Sequence, residues 1–160
     1  IQRWSQVQIL PGLFIRGVKM FDRENSGCCI IENGKLLTLY RIERKHLEIP
    51  GGGVKAGESL AEAAARETKE EIGVEVEIEN YLGYIDFEIN GKRIRSHNFM
   101  GKIPLGKKPL VGEPEIFSEI IWVEMKEWKK FPCATNTKQF CENFVKTGKI
   151  ELPNAHNSKK

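Results

Sequence analysis

The chain has 160 residues, of which 40% are hydrophobic and 29% are charged, and its formal net charge is +3. These values fit one domain with a real hydrophobic core, and they exclude a disordered tail and a fibre. The sequence shows no period of about 20 to 50 residues, so we expect no repeat array. The apolar runs are only a few residues long, which excludes a bilayer-spanning segment. Because the charges are mixed along the chain, we expect no stable nucleic-acid partner. We also expect no membrane partner, and a monomer or homodimer.

The two ends of the chain lack the patterning of the region between them. Residues 1–19 precede the first methionine and resemble neither a signal peptide nor an amphipathic helix, so we predict a leader or upstream extension outside the fold. Residues 154–160 are polar and predict a flexible tail, which leaves residues 20–153 as the folded domain.

The four cysteines form no C-x-x-C pair, so they lack the ligand spacing of a zinc site. This pattern favours reduced thiols that serve as small core residues in the cytoplasm. Cys28 and Cys29 are neighbours, and we expect them to point to opposite faces of a strand.

Apolar runs alternate with turn signals through most of the chain. Asn33-Gly34 and Asn90-Gly91 each join two such runs, and Asn-Gly is a strong hairpin signal because both residues tolerate positive φ. Three consecutive glycines follow Pro50 and predict a loop. Strands are predicted over Ser26–Glu32, Lys35–Arg41, Leu47–Ile49, Val74–Ile78, Tyr81–Ile89, Arg93–Ile103 and Ile120–Val123.

Two helices are predicted among these strands. The first runs from Ser59 to about Ile72, because Ser59 and Glu62 have the spacing of a capping box and Gly73 is placed to end the helix. The second covers Thr137–Thr147. The stripe of the first helix expected to face the core contains Ala61, Ala65, Thr68 and Ile72. Strands with two separate helices predict a mixed α/β domain.

Three carboxylates gather on another face of the first helix. Glu67, Glu70 and Glu71 fall within an arc of about 100°. Like charges one turn apart, close to the negative end of the helix dipole, each cost a few tenths of a kcal/mol. A solvated acidic face is one explanation. A bound cation is the other, and carboxylate oxygens suit Mg²⁺ first, with Mn²⁺ as a substitute.

The glycine run just before this helix favours the cation. Gly51, Gly52 and Gly53 allow the backbone to approach a ligand closely. An exposed carbonyl would add a metal ligand, and N–H groups would meet phosphate oxygens. A glycine-rich loop, a capped helix and three carboxylates together indicate a site for a metal-bridged phosphate.

Residues 52–74 read GGVKAGESLAEAAARETKEEIGV and resemble the Nudix box, G-x5-E-x7-R-E-U-x-E-E-x-G-U, in which U is a bulky aliphatic residue. Thr68 is the one departure, at a position where the family prefers Ile, Leu or Val. The general resemblance extends from about Met20 to Lys149. The matching positions are Gly52, Glu58, Arg66, Glu67, Glu70, Glu71, Gly73 and Val74.

The resemblance implies an α/β/α sandwich with a mixed β-sheet, in which a strand-loop-helix-loop motif hydrolyses a nucleoside diphosphate linked to another group. Arg66 and Glu58 would hold loop and helix together by charged hydrogen bonds. Bound Mg²⁺ would neutralise the diphosphate and lower the pKa of the attacking water. The metal ligands implied are Glu67, Glu70, Glu71 and the carbonyl of Gly51.

The group that accepts a proton from this water varies within the family. It is either a box glutamate, Glu70 or Glu71, or a carboxylate of the loop before the last predicted strand. That loop offers Glu113, Glu115 and Glu119, of which we expect Glu115 first and Glu119 second. The alternative is that all three are surface charges.

Substrate recognition has a weaker signal. Residues 131–136, FPCATN, resemble the F-P-x-A-N region with which MutT-type enzymes hold an oxidised purine, apart from one inserted residue. The resemblance implies that Asn136 hydrogen-bonds a base edge and that Phe131 lines the pocket. The alternative is an ordinary loop that leads into the second helix.

Three functions are compatible with these residues. The first is a Mg²⁺-dependent pyrophosphatase of MutT-like type that acts on a nucleoside triphosphate. The second is a Nudix hydrolase of nucleotide-sugars, dinucleoside polyphosphates or RNA 5′ ends. The third is a non-catalytic Nudix domain that binds a nucleotide and regulates another process. The intact Arg66-Glu67 and Glu70-Glu71 pairs favour an enzyme, since binding alone does not need the whole ligand set.

Overall fold

The computed structural model describes residues 20–158. The leader predicted over residues 1–19 lies outside the described residues. The described chain forms seven strands and two α-helices, with short 3₁₀ helices at Met125–Lys130 and Ala155–Ser158. The strands are β1 (Arg23–Glu32), β2 (Lys35–Arg41), β3 (His46–Glu48), β4 (Gly51–Gly53), β5 (Glu77–Ile89), β6 (Lys92–Lys102) and β7 (Phe117–Glu124), and the helices are α1 (Leu60–Ile72) and α2 (Thr135–Thr147).

All seven strands belong to one mixed sheet. The order along it is β3-β2-β1-β6-β5, with β4 paired to β1 and β7 paired to β2. The β1–β6 pair is parallel, and the other named strand pairs are antiparallel. The mixed α/β prediction is therefore confirmed. Across residues 20–158, every helix is too short or too polar to cross a bilayer.

Both predicted Asn-Gly hairpins form, and the backbone at Asn33, Gly34, Asn90 and Gly91 has positive φ. Two larger differences from the sequence prediction concern the strand after α1 and the glycine run. The two strands expected over Val74–Ile78 and Tyr81–Ile89 form one strand, β5, which begins at Glu77. Its pairing with β6 shifts register between Ile78 and Gly83. The glycine run, expected as a loop, forms β4 against β1.

Two apolar cores lie on opposite faces of the sheet. Cys28 belongs to the core under α1, with Leu37 and Ile72, whereas Cys29 belongs to the core under α2, with Phe140. The expected alternation of the two cysteines is confirmed, and all four cysteines are free thiols. Because each face of the sheet carries one helix, the fold is the expected α/β/α sandwich.

Helix α1 begins and ends as the sequence predicts. The Ser59 side chain accepts a hydrogen bond from the Glu62 N–H, the Glu62 carboxylate accepts one from the Ser59 N–H, and Gly73 closes the helix in the left-handed conformation. The buried face is rotated from the predicted stripe, because Ala64 rather than Ala65 enters the core. The same rotation buries Glu71, which was expected on a separate face.

The tail prediction is wrong for its first residues. The Asn154 amide pairs with the backbone of β5, since its Oδ1 accepts from the Tyr84 N–H at 2.9 Å and its Nδ2 donates to the Tyr84 carbonyl at 2.9 Å. Ala155 is buried beside it. A polar side chain can therefore satisfy the backbone N–H and carbonyl of a strand, and composition alone does not reveal such an anchor. Residues 159–160 lie outside the described part of the chain.

Thr68, the departure from the family pattern, offers a stability test. Its buried hydroxyl has no well-formed hydrogen bond among the described residues. Burial raises the pKa of the neighbouring Cys28 thiol to about 11, and the Thr68 hydroxyl acts in the opposite direction. We expect Thr68→Val to raise the free energy of unfolding by about 1 kcal/mol, because an unpaired buried hydroxyl is replaced by a methyl group.

Thr38→Val is the matched control for this substitution. Thr38 is equally buried, but its hydroxyl donates to the Ile121 carbonyl at 2.7 Å, so the same change should destabilise by about 1 kcal/mol. Urea denaturation of both variants measures the difference. A shift of both variants in the same direction would contradict the assignment.

Candidate active site

A cavity of about 880 Å³ opens between the glycine strand β4, the start of α2 and the β5–β6 hairpin. One wall is acidic and is formed by Glu67, Glu71 and Glu113, which approach the cavity from α1 and from the loop before β7. Gly51 and Gly52 also line it, with Gly51 against Glu71 and Gly52 against Glu67. The cavity thus unites the box residues with a loop distant from them in sequence.

Glu71 is the most unusual charge of this wall. It is only 6% exposed, and its Oε2 accepts a hydrogen bond from the Gly51 N–H at 2.8 Å. Burial raises the pKa of Glu71 well above its usual range, and the carboxylates of Glu48, Glu113 and Glu67 raise it further against the lowering by the Gly51 N–H. No cation among the described residues forms an ion pair with Glu71. A buried carboxylate without a cation is costly, and a metal ion would relieve that cost.

Arg66 connects the helix to the loop before it. Its Nε and Nη2 donate to the two carboxylate oxygens of Glu58 at 2.6 and 2.9 Å, and Nη2 also donates to the Gly53 carbonyl at 3.0 Å. These hydrogen bonds, with the Lys55 N–H, hold the pKa of Glu58 at about 2. Arg66 Nη1 reaches Glu67 at 2.6 Å and Glu70 at 3.4 Å. Glu58 and Arg66 therefore fix the loop to α1.

These hydrogen bonds predict the effect of Arg66→Lys. A single ammonium cannot reproduce the fork that holds Glu58, Gly53 and Glu67 together, so we expect the melting temperature to fall by about 5 °C. Lys69→Gln is the control, because the Lys69–Glu75 pair is exposed, and its loss should change the melting temperature by about 1 °C or less. Equal shifts in both variants would refute the special role of Arg66.

The glycines of β4 are required by close contacts. Gly51 has φ of +153°, and a Cβ there would lie 2.6 Å from the Gly27 Cα of β1. A Cβ at Gly52 would collide with the carboxylate of Glu67. Glu67 therefore lies directly against the backbone of Gly52, where larger residues would displace it.

The three box carboxylates do not converge as they stand. Glu67 and Glu71 line the cavity, whereas Glu70 is 46% exposed on its side chain, lies outside the lining and shares Arg66 with Glu67. Over residues 20–158, no group of three His, Cys, Asp or Glu side chains is spaced to hold a metal ion. The reason is that Arg66 and the Gly51 N–H draw the carboxylates to different partners.

The loop before β7 contributes Glu113 rather than Glu115. Glu113 lines the cavity, while the side chains of Glu115 and Glu119 are exposed and absent from its lining. Burial raises the pKa of Glu113, and Glu115, Glu70 and Glu67 add to the increase. The expectation that Glu115 comes first is therefore not supported by this arrangement. Position in the loop, which the sequence does not define, decides between the two residues.

A basic cluster, Arg41, Arg44 and His46, also lines the cavity, and Arg41 is close enough to Glu113 to lower the pKa of that carboxyl. Glu48 joins it, since its Oε1 accepts from Arg41 Nε at 3.1 Å and lies 2.6 Å from His46 Nε2. The sequence did not indicate that Glu48 or His46 belongs to the site. The signal available was the β2–β3 pairing, which places Arg41 opposite His46.

The predicted substrate residues separate into two groups. Asn136 and Gly52 line the cavity, whereas Phe131 and Gly53 do not. Helix α2 begins two residues earlier than predicted, which places Asn136 inside its first turn, where its Oδ1 accepts from the Thr137 N–H at 2.8 Å. Gly53 is instead used by Arg66 through its carbonyl. Only part of the FPCATN segment therefore faces the cavity.

Comparisons with known proteins agree with this geometry. A family model described as the NUDIX domain matches residues 22–144. The MutT NUDIX hydrolase from Burkholderia pseudomallei is 25% identical with a TM-score of 0.68, over 75% of this chain and 95% of that chain. The MutT protein from Methanosarcina mazei Go1 is 25% identical with a TM-score of 0.69, over 79% and 95%.

The fold is shared with more distant structures as well. A C. elegans Ap4A hydrolase has a TM-score of 0.64 at 21% identity, over 78% of this chain and 96% of that chain. Among curated proteins, none matches the chain. The family match covers most of the chain, including the box, the cavity lining, α1 and most of α2. The chain therefore belongs to the NUDIX domain family and is a hydrolase of pyrophosphate bonds.

Proposed function

We propose that this protein is a Mg²⁺-dependent pyrophosphatase that hydrolyses a nucleoside triphosphate to a nucleotide and pyrophosphate or phosphate, as a MutT-type enzyme. The observation that carries the proposal is the buried Glu71 carboxylate, which faces the cavity with Glu67 and Glu113 and has no cationic partner among the described residues. Because this wall is negatively charged, a polyphosphate can bind beside it only together with cations that compensate both charges.

The residues of the acidic wall fit a divalent ion. Their oxygens are the hard donors that Mg²⁺ prefers, and Gly52 leaves the space beside Glu67 free of a side chain. We propose that Glu67, Glu70, Glu71 and the Gly51 carbonyl hold Mg²⁺, with Mn²⁺ as a substitute. The bound ion supplies charge neutralisation of the diphosphate and a lower pKa for the attacking water.

The chain's own groups have separate tasks in this reaction. Arg66 and Glu58 keep the loop and α1 in position through their hydrogen bonds, so that Glu67 stays against Gly52. Glu113 accepts the proton of the attacking water, a task for which its place in the cavity and its raised pKa suit it. Glu70 and Glu71 bind the ion in this proposal and do not accept the proton.

Other residues of the cavity accommodate the rest of the nucleotide. Arg41, Arg44 and His46 line the same cavity, and the two guanidinium groups offer positive charge to a polyphosphate chain. Asn136 lies at the start of α2, where it can contact a base. The four free thiols favour a reducing compartment, and we propose the cytoplasm.

A substrate panel tests the proposal. Structural neighbours include a MutT protein, an Ap4A hydrolase and a UDP-X diphosphatase, so the panel contains normal and oxidised nucleoside triphosphates, diadenosine tetraphosphate, a UDP-sugar and ADP-ribose. With Mg²⁺, we expect a nucleoside triphosphate to give the highest kcat/KM, with products identified by mass spectrometry. Faster turnover of a dinucleotide or a nucleotide-sugar would reject the MutT-type assignment. Nucleotide binding without turnover of any compound would instead indicate a regulatory domain.

A further inference from the structure

Two asparagines form the floor of the cavity on the α2 face of the sheet. Asn25 of β1 and Asn98 of β6 both line the cavity. The parallel register pairs Asn25 with Ser96 and Gly27 with Asn98, so the two asparagines lie two positions apart on neighbouring strands. Cys29 and Met100 follow at even spacing along the same strands and pack into the α2 core, which places both amides on that face.

Asn98 presents a fixed acceptor to the cavity. It is 0% exposed, and its Nδ2 donates to the Ser96 carbonyl at 2.9 Å. A rotated amide would turn its oxygen toward that carbonyl, so the orientation is determined by chemistry. The Oδ1 of Asn98 has no hydrogen-bond partner among the described residues, and neither has the buried Oδ1 of Asn25. Such orphan acceptors are rare and costly in a folded protein.

We propose that Asn98, together with Asn25, selects the substrate by accepting hydrogen bonds from N–H groups on the edge of its nucleobase, and that the preferred base is guanine. The inference rests on the proposed function, because it takes the cavity to be the nucleotide site. It adds a specificity determinant that lies outside the box and outside the FPCATN segment.

Two unpaired acceptors, the Oδ1 atoms of Asn25 and Asn98, match the hydrogen-bond donors of guanine better than those of the other bases. On its pairing edge, guanine carries two adjacent donors, N1–H and the 2-amino group. Adenine and cytosine carry one amino donor next to an acceptor nitrogen, and uracil carries one N–H between two carbonyls. A buried site with two unpaired acceptors discriminates strongly against a base that leaves one of them without a donor.

Titration calorimetry with GMP and IMP tests the inference without depending on turnover. IMP has the same ring and phosphate as GMP but lacks the 2-amino group. We expect the protein to bind GMP at least tenfold more tightly than IMP, AMP or UMP. Asn98→Leu, which keeps the size of the side chain and removes the acceptor, should weaken GMP binding at least tenfold.

Thr68→Val is the matched control, because it also removes a buried oxygen without a well-formed hydrogen bond, but at a position outside the cavity lining. It should leave GMP binding within about twofold of the unmodified protein. Circular dichroism shows whether Asn98→Leu folds. If it does not, Asn98→Ser, which is too short to reach the same base edge, replaces it.

Equal binding of GMP and IMP by the unmodified protein would overturn the inference, as would full GMP affinity in a folded Asn98 variant. These outcomes differ from failure of the proposed function. A protein that hydrolyses nucleoside triphosphates without preference for guanine rejects only the role of Asn98. A protein that binds GMP in this way but hydrolyses no nucleotide rejects only the proposed reaction.

Discussion

Glu71→Gln is expected to lower Mg²⁺-dependent hydrolysis about a thousandfold, a larger loss than at any other residue of the acidic wall. The change removes one negative charge from the buried side of the proposed ion site, and the electrostatic contribution of a catalytic ion is worth several kcal/mol. Gln keeps an oxygen that accepts the Gly51 N–H, so the contact between α1 and β4 survives. Steady-state kinetics with the best substrate of the panel measures the loss.

The same variant should be at least as stable as the unmodified protein when Mg²⁺ is absent. The buried charge of Glu71 is opposed by burial and by the neighbouring Glu48, Glu113 and Glu67, and Gln removes that opposition. The unmodified protein should gain stability on addition of Mg²⁺, whereas the variant should gain little. Thermal unfolding with and without Mg²⁺ separates a defect of the ion site from a defect of folding. Full activity in Glu71→Gln would refute the proposed site.

Glu113→Gln is expected to lower kcat about a hundredfold, because a positioned general base contributes that much or more. Glu115→Gln is its control, since the two carboxylates lie two residues apart in one loop but only Glu113 lines the cavity. We expect Glu115→Gln to keep kcat within about twofold. The two variants thus remove the same carboxylate from two positions, one that lines the cavity and one that does not.

The pH dependence of kcat extends this comparison. If Glu113 accepts the proton, the acidic limb of the profile should be absent or shifted in Glu113→Gln and unchanged in Glu115→Gln. The opposite result, with the larger loss in Glu115→Gln, would restore the expectation from the sequence. Similar small effects in both variants would assign the base to another residue of the acidic wall.

The sequence was sufficient for features that depend on neighbouring residues. The capping box of Ser59 and Glu62, the Gly73 cap and both Asn-Gly hairpins are set by local backbone chemistry, and each is present. The Nudix box succeeded for the same reason, because its glycines and charges lie within 23 residues on one strand and helix.

Features that depend on tertiary packing were missed or misplaced. The choice between Glu113 and Glu115 depends on how the loop after β6 crosses α1, where the Gly112 N–H donates to the Glu71 carbonyl at 2.8 Å. Asn98 resembles any polar residue in a strand until the parallel pairing with β1 places it under the cavity. The rotation of α1 that buries Glu71 was likewise set by packing on the sheet rather than by helical periodicity.

Strand β1 has a consequence for the order in which the protein folds. Its end forms a local hairpin with β2, whereas its first part pairs in parallel with β6, whose partners lie about seventy positions later in the chain. Local hairpins form in microseconds, but distant pairing must first overcome the entropy of closing a long loop. The hairpin can therefore assemble early during synthesis on the ribosome, while the asparagine floor must wait until β6 has emerged.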